Sequence, residues 1–404
     1  MSQLAIDGGT PVRDQFLVFG KPCLGEEEIQ EVVDTLRSTW IGTGPKTVRF
    51  EQAFAQYVGS RRALAVNSCT AALHLGLIVS GIKAGDEVIT SPLTFAATAN
   101  VIVLTGARPV FADINPATLN IDPKAIERAI TPRTRAVMPV HFGGLACEMD
   151  EIMLLAKKHQ LAIVEDAAHA VGTRYQGKMI GSLGNIACFS FYANKNLTTG
   201  EGGMVTTDDE ALAEKIEVYR LHGLSRHAWQ RYTSRRLMLS DALVPGYKYN
   251  MPDLMASLGI HQLRKQEDFL LIRERYAAIY DRAFSTMPGV RLQPRPQGGQ
   301  DRHALHLYVL ILDLAQFSVS RNQIIDALLA ENIGAALHYR AVHLHPYYRE
   351  TFGYRAEDFP EAAKVGESIL SLPLTPGMTE ADVQDVITAV TKVLGAYRRA
   401  GHAA

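Results

Sequence analysis

Between Ala63 and Thr207 short apolar runs alternate with longer segments of helical period, and this alternation narrows the possible folds more than any other feature. Strands are expected at Ala63 to Val66, Glu87 to Thr90, Pro109 to Ile114, Arg135 to Val140, Leu161 to Val164, Ile186 to Tyr192 and Gly203 to Thr207. Helices are expected from Thr70, from Thr94, from the pair Asp122 and Pro123, and from Met149 to His159. A chain that alternates in this way forms an α/β domain, with a mostly parallel sheet of about seven strands covered on both faces. Ligands of such sheets gather at the carboxyl ends of the strands.

Two of those ends carry chemistry. In FSFYANKNLTTGEGG, Lys195 stands just past a strand and ahead of a glycine-rich turn. A lysine held out of water there has a lowered pKa, and its neutral amine can attack a carbonyl. In LAIVEDAAHAVG, Asp166 closes a strand about one further pass across the sheet away. A carboxylate near a lysine suits pyridoxal phosphate, whose pyridine nitrogen must stay protonated. The run NSCTAAL supplies a phosphate cradle, where Thr70 and Ala71 open a helix whose free N–H groups and dipole attract anions. Ser190 is a second phosphate donor, Phe95 an aromatic that could stack on a flat ring, and His169 a neighbour of the cofactor rim. Each residue also has a plainer reading: a solvated loop lysine, helix caps at Asp166 and at Ser68 or Thr70, a backbone-bonded hydroxyl, a core aromatic, a structural histidine.

Other features limit the alternatives. The GTGPK run is not a nucleotide loop, because Pro45 separates Gly44 from Lys46 and no strand precedes it. His338, His343 and His345 lack the cysteines or carboxylates that would complete a metal site, so no metal is expected. Over 404 residues the net charge is −1, with no basic block, which favours small-molecule partners over nucleic acid or a membrane surface. The longest apolar run, near Ala71 to Ile82, falls short of the ~20 residues of a spanning helix, and a cytoplasmic location is expected. Cys23, Cys69, Cys147 and Cys188 are too scattered for a zinc knot.

Outside the alternation, helices are expected at Gly25 to Ser38 and Thr47 to Tyr57, with an irregular excursion over Leu221 to Tyr249. One long helix is expected from Asp253 to Ala283, then a strand at His306 to Leu312 and a helix capped by Ser320 and Gln323 that stops at Gly334. A final helix is capped by Thr379 and Asp382. This divides the chain into residues 1–252, a large cofactor-binding domain with an N-terminal arm, and 253–404, a smaller α+β domain.

The segments WIGTGPK, NSCTAALHLGL, DEVITSPLTFAATAN, VEDAAHAVG, FSFYANKNLTTGEGG, PGYKYNMPDLMASLG and LHYRAVHLHPYY stand in fixed order. Through them the chain resembles, over nearly its full length, the DegT/DnrJ/EryC1/StrS sugar aminotransferases, which have the type I fold of pyridoxal-phosphate enzymes. PGYKYN, with HGL and AW before it and EDAAHAVGT, most resembles the members that aminate a UDP-linked 4-keto pentose. The resemblance implies that Lys195 is the Schiff-base lysine, Asp166 the pyridinium partner and His169 a residue against the cofactor. It implies that Thr70, Ala71 and Ser190 hold the phosphate, with Phe95 on the ring. Asn250 would reach the phosphate from the other subunit of a homodimer, and Thr43 and His338 would border a nucleotide sugar. Some relatives carry histidine in place of the lysine and dehydrate sugars; Lys195 favours transamination. The implied reaction takes an amino group from L-glutamate, releases 2-oxoglutarate and aminates a nucleotide-linked keto sugar. Two rivals stand: an enzyme for a cyclic ketone such as an inosose or for an aminobenzoate unit, whose starts resemble LAIDGGTPVR, and a non-catalytic regulatory protein of the same fold.

Overall fold

The structure, a computed structural model, describes residues 3–224, 241–296 and 298–399. Helices α1 (Glu26–Arg37) and α2 (Pro45–Val58) precede the alternating region. There follow β1 (Arg62–Val66), α3 (Cys69–Val79), β2 (Glu87–Thr90), α4 (Ala96–Leu104), β3 (Arg108–Phe111), α5 (Pro123–Ala129), β4 (Thr134–Met138), α6 (Met149–His159) and β5 (Ala162–Asp166). A small ribbon, β6 (Arg174–Tyr175) and β7 (Lys178–Met179), leads to β8 (Ile186–Ser190), β9 (Gly203–Thr207) and α7 (Glu210–Tyr219).

Seven of these strands form one sheet in the order β1-β9-β8-β5-β4-β2-β3. Strands β8, β5, β4, β2 and β3 pair in parallel, while β9 runs against both neighbours. The expected α/β fold with a mostly parallel sheet is therefore present, with one reversed strand. The link from β8 to β9 contains no helix, and parallel pairing would need a longer crossover.

Alternation along each strand gives the sheet two apolar faces. Leu64, Val66, Val164, Ile186, Cys188 and Val205 pack with the buried residues of α3 and α7. On the opposite face Ala63, Ala65, Ala187 and Phe189 meet Phe50 and Phe54 of α2. The Phe54 ring lies edge-on to Phe189 at 5.1 Å and to Phe191 at 5.4 Å, and burying each such ring contributes about 1.5–3 kcal/mol.

The topology puts the ends of β1, β5 and β8 at one edge. Gly203, the first residue of β9, pairs with both Val66 and Ser190 there. A Cβ on Gly203 would lie 2.6 Å from the Ser68 carbonyl carbon and 2.7 Å from the Cys69 nitrogen. Only a residue without a side chain lets β9 slide under the start of α3.

The helix expected from Asp253 to Ala283 is two helices, α8 (Asp253–Arg264) and α9 (Gln266–Phe284), broken at Lys265. Helix α8 packs on α1 and α2, and the Lys265 ammonium binds Glu27 and Glu28 of α1. Helix α9 instead packs its Tyr276, Tyr280 and Phe284 into a second core. The change of partner explains the break.

The second core lies around an antiparallel sheet of β10 (Val290–Leu292), β11 (Tyr308–Leu312) and β12 (Ile369–Leu372). Helices α10 (Arg321–Ala330), α11 (Pro346–Phe352), α12 (Pro360–Ser368) and α13 (Glu380–Tyr397) complete this part. Both expected capping boxes are formed, at α10 and α13.

Helix α10 ends four residues before Gly334, with Asn332 in the left-handed conformation at φ 62°. Gly334 serves a different purpose. A Cβ there would come 2.5 Å from the Leu17 carbonyl oxygen, because the N-terminal arm pairs across Ile333 and Gly334. The arm is fastened again by Glu331, fully buried, which accepts the N–H groups of Ala5 and Val12 and pairs with Lys392 at 2.8 Å. Leu4 sits in the second core. The first part of the arm thus packs with the C-terminal part, while Phe19 and Gly20 reach residues of the large part.

At the ends of the excursion beginning at Leu221, Leu221 bridges Lys248 and Leu224 bridges Ala242. The Ala228 and Trp229 pair of the quoted motif lies outside the described residues. Among the described residues no helix is long and apolar enough to cross a membrane.

Replacing Gly203 with alanine should destabilise the protein by about 1–3 kcal/mol through overpacking against α3. Urea unfolding measures this, and an unchanged midpoint would show that the β9–α3 contact can relax.

Candidate active site

A cavity of about 470 Å³ opens at the sheet edge where β1, β5 and β8 end. Its wall includes Thr70, Phe95, Asp166, His169, Ser190, Lys195 and His338, so the fold brings together seven residues singled out in the sequence.

Helix α3 begins with Ser68, whose Oγ accepts the Ala71 N–H at 3.1 Å. That bond takes up the Ala71 amide, and Ala71 itself is absent from the wall. The first-turn amides of Cys69 and Thr70, ahead of the first helical hydrogen bond, remain beside the cavity. Ser190, the last residue of β8, has its Oγ 3.4 Å from the Tyr192 nitrogen and turns toward the same space. Phe95 is 61% exposed, which rules out a place in the core.

Asp166 is buried at the end of β5. Thr98 of α4 donates to its Oδ2 at 2.7 Å, Thr94 supports Thr98 at 2.7 Å, and the Ala168 N–H reaches Oδ1 at 3.1 Å. Burial pushes the Asp166 carboxyl above its usual range, and the bonds from Thr98 and Ala168 pull the other way. Among the described residues no ion pair is made by this carboxylate. A buried carboxylate that faces a cavity and lacks a cation fits a ligand carrying a protonated ring nitrogen.

Lys195 lies in the turn after β8, its backbone N–H bonded to the Tyr192 carbonyl. Loss of water lowers its pKa to about 8, with Cys69 and Asp166 acting weakly in the opposite direction. Roughly a tenth of the amine is therefore neutral one unit below that value. The solvated-loop reading of Lys195 does not describe this environment.

His169 is buried, and burial pushes its imidazole far below the usual value. Its Nδ1 accepts the Gly143 N–H at 3.2 Å, so the neutral ring carries its proton on Nε2 and donates to the Tyr339 hydroxyl at 3.1 Å. His338 binds Ser371 through Nδ1 at 2.9 Å and is held neutral, its pKa lowered to about 3 by burial.

Thr43 and Asn250 are brought together with each other and not with this cavity. The Asn250 amide donates to Thr43 Oγ1 at 2.6 Å, and Thr43 donates to the Met251 carbonyl at 2.6 Å. Nearby, the Asp253 carboxylate accepts the N–H groups of Gly44, Lys46 and Thr47. Those amides are occupied, which agrees with rejecting GTGPK as a phosphate loop.

Sequence reasoning missed Thr98, Tyr339 and His306. Thr98 lies one helical turn past Phe95, in a run of small residues where nothing marks it out. His306 stands immediately before the apolar run of β11, and its separation from Lys195 by 111 positions hides the contact.

A profile of the DegT/DnrJ/EryC1/StrS aminotransferase family matches residues 22–391. The chain belongs to that family. The spore coat polysaccharide biosynthesis protein SpsC of Bacillus subtilis is 54% identical over 383 residues, covering 95% of this chain and 98% of SpsC. The Streptococcus pneumoniae protein Spr1654, solved in PLP and PMP forms, superposes with a TM-score of 0.87 in each. In the PMP form it is 33% identical and the match covers 94% of this chain and 99% of that one. DesI, solved in the presence of its TDP-sugar product, has a TM-score of 0.84 and 30% identity, with 97% of each chain covered. This family member is accordingly a pyridoxal-phosphate-dependent aminotransferase.

Two outcomes follow for the family's cofactor. Covalent uptake of pyridoxal phosphate by Lys195 should accelerate with rising pH through about 8 and level off above it, because only the neutral amine attacks. Stopped-flow absorbance checks this, and a rate independent of pH across that value would contradict the buried-amine environment. Thr98→Val should weaken cofactor retention about 10- to 100-fold, the worth of one hydrogen bond to a charged group, as read by equilibrium titration.

Proposed function

We propose that this aminotransferase transfers an amino group from L-glutamate to a keto sugar carried on a nucleoside diphosphate. The observation that carries the reading is the presence on one cavity wall of a lysine with a lowered pKa and a buried carboxylate that lacks a cation. A sugar acceptor is supported by the relatives, one acting in spore coat polysaccharide synthesis and one solved with a TDP-sugar product.

In this reading Lys195 would bond the cofactor and Asp166 would hold its ring nitrogen. The first-turn amides of Cys69 and Thr70, with the Thr70 and Ser190 hydroxyls, hold the phosphate, and the Ala71 amide stays with Ser68. Phe95 and His169, both on the cavity wall, would contact the ring. When bound, the cofactor supplies an electron sink for the carbon that bears the amino group. Lys195 carries a proton to and from that carbon; with a pKa near 8 its amine is both a usable base and, once protonated, a usable acid. The hydrogen bonds from Thr98 and the Ala168 N–H favour the charged form of Asp166 against the upward push of burial on its pKa. His169, neutral and pinned through Gly143 and Tyr339, cannot take the lysine's proton.

The site is completed by a second copy of the chain. Thr43 and Asn250 do not line their own cavity, while Ile29, Leu36 and Ile41 are apolar and exposed. Such a surface suits burial against a partner, with Asn250 offered to the partner's phosphate and Thr43 and His338 bordering the sugar nucleotide. The reaction is assigned to the cytoplasm.

With L-glutamate alone the enzyme should release one 2-oxoglutarate per site and stop, resuming when a UDP- or TDP-linked keto sugar is added. Lys195→Ala should do neither. A clear preference for scyllo-inosose over both keto sugars in the same assay would replace this reading with the cyclic-ketone one.

A further inference from the structure

We propose that His306 is a positioning residue for Lys195, accepting a hydrogen from the lysine amine at Nε2. The inference rests on Lys195 being the residue that bonds the cofactor.

The tautomer follows from the hydrogen bonds. The Asn196 amide nitrogen donates to the Ala304 carbonyl at 2.7 Å, which fixes Asn196 Oδ1 as the atom facing His306 Nδ1 at 3.3 Å. An amide oxygen only accepts, so His306 carries its proton on Nδ1. Its bare Nε2 then faces the Lys195 amine at 3.4 Å. His306 and Asn196 are both buried.

The segment that carries His306 is itself held. Arg273 of α9 donates to the Leu305 carbonyl at 3.1 Å and to the Leu374 carbonyl at 2.6 Å. On its other side the His306 ring packs on His169, with centroids 4.5 Å apart. The imidazole is thus fixed at both edges and along one face.

A lysine has a flexible four-carbon stem, and each freely rotating bond lowers the fraction of time its amine spends where it is needed. An acceptor at a fixed point narrows that range whenever the amine is not bonded to the cofactor. His306 does this without competing for the proton, because burial keeps its imidazole far below the usual value. Both the amine and the ammonium can donate to Nε2, and the charged form makes the stronger bond. The titratable groups that face Lys195 are Cys69, Asp166, His169, His306 and His338.

Two substitutions separate positioning from bulk. In His306→Asn the amide nitrogen can replace Nδ1 toward Asn196, but nothing reaches Lys195. In His306→Gln the longer side chain can replace Nε2. Lys195 of the cofactor-free protein is arylated with trinitrobenzenesulfonate at a series of pH values, and the modified peptide is measured by mass spectrometry. The wild-type midpoint should lie at about 8. For His306→Asn it should fall by about one pH unit, the equivalent of one charge-assisted hydrogen bond, and for His306→Gln it should return toward wild type. A His306→Asn midpoint equal to wild type overturns the proposal; if that variant does not fold, His306→Phe carries the same test. Borohydride reduction of the wild-type protein loaded with pyridoxal phosphate is read separately. A reduced adduct on a residue other than Lys195 would refute the lysine assignment, whatever His306 does to the titration.

Discussion

The rest of the site depends on keeping an amine and a carboxylate poor in water at one sheet edge without letting them neutralise each other. Removing either group from water disfavours its charge. Direct pairing would recover much of that cost, yet no ion pair joins Lys195 and Asp166 among the described residues. Asp166 is instead retained by a hydroxyl and a peptide N–H, neutral donors that stabilise its charge without cancelling it. Lys195 is left with a lowered proton affinity. That arrangement costs folding free energy and leaves both groups ready for a ligand.

Geometry makes it possible. Strands β5 and β8 are neighbours and parallel, so their final residues share an edge. Reversal of β9 places a glycine between β1 and β8 at that edge, and the missing side chain lets the first turn of α3 settle against it. The C-terminal part then closes over from the other side, with His306, His338 and Tyr339 facing the large sheet. The two halves, joined by a shared cluster in which Leu93 and Phe142 meet Leu307 and Val309, share one cavity.

Much of this could be read from residue order. The α6 helix has the limits its periodicity suggests, and both capping boxes formed, because these signals are local. The positions of Lys195 and Asp166 on the cavity wall were legible because a polar residue at or just past the end of an apolar strand is conspicuous. The reversed β9 was not, since Gly203 to Thr207 reads the same in either direction. The break at Lys265 was hidden by an unbroken helical period; it arises from α8 and α9 packing on different partners. Gly334 was misread as a helix stop, when its role is to admit the Leu17 carbonyl. Thr98 and His306 matter only through contacts made across the fold, and nothing in their immediate neighbours announces those contacts.

The grip of Glu331 on the arm also bears on how the molecule assembles during translation. Its bond to Ala5 spans 326 positions, and its cationic partner Lys392 lies later still. The arm must therefore wait for a segment made 326 positions later before its partner exists. Closing so wide a loop is slow relative to local structure. Until that happens a chaperone would meet a nearly finished sheet beside a C-terminal half still missing its final clasp.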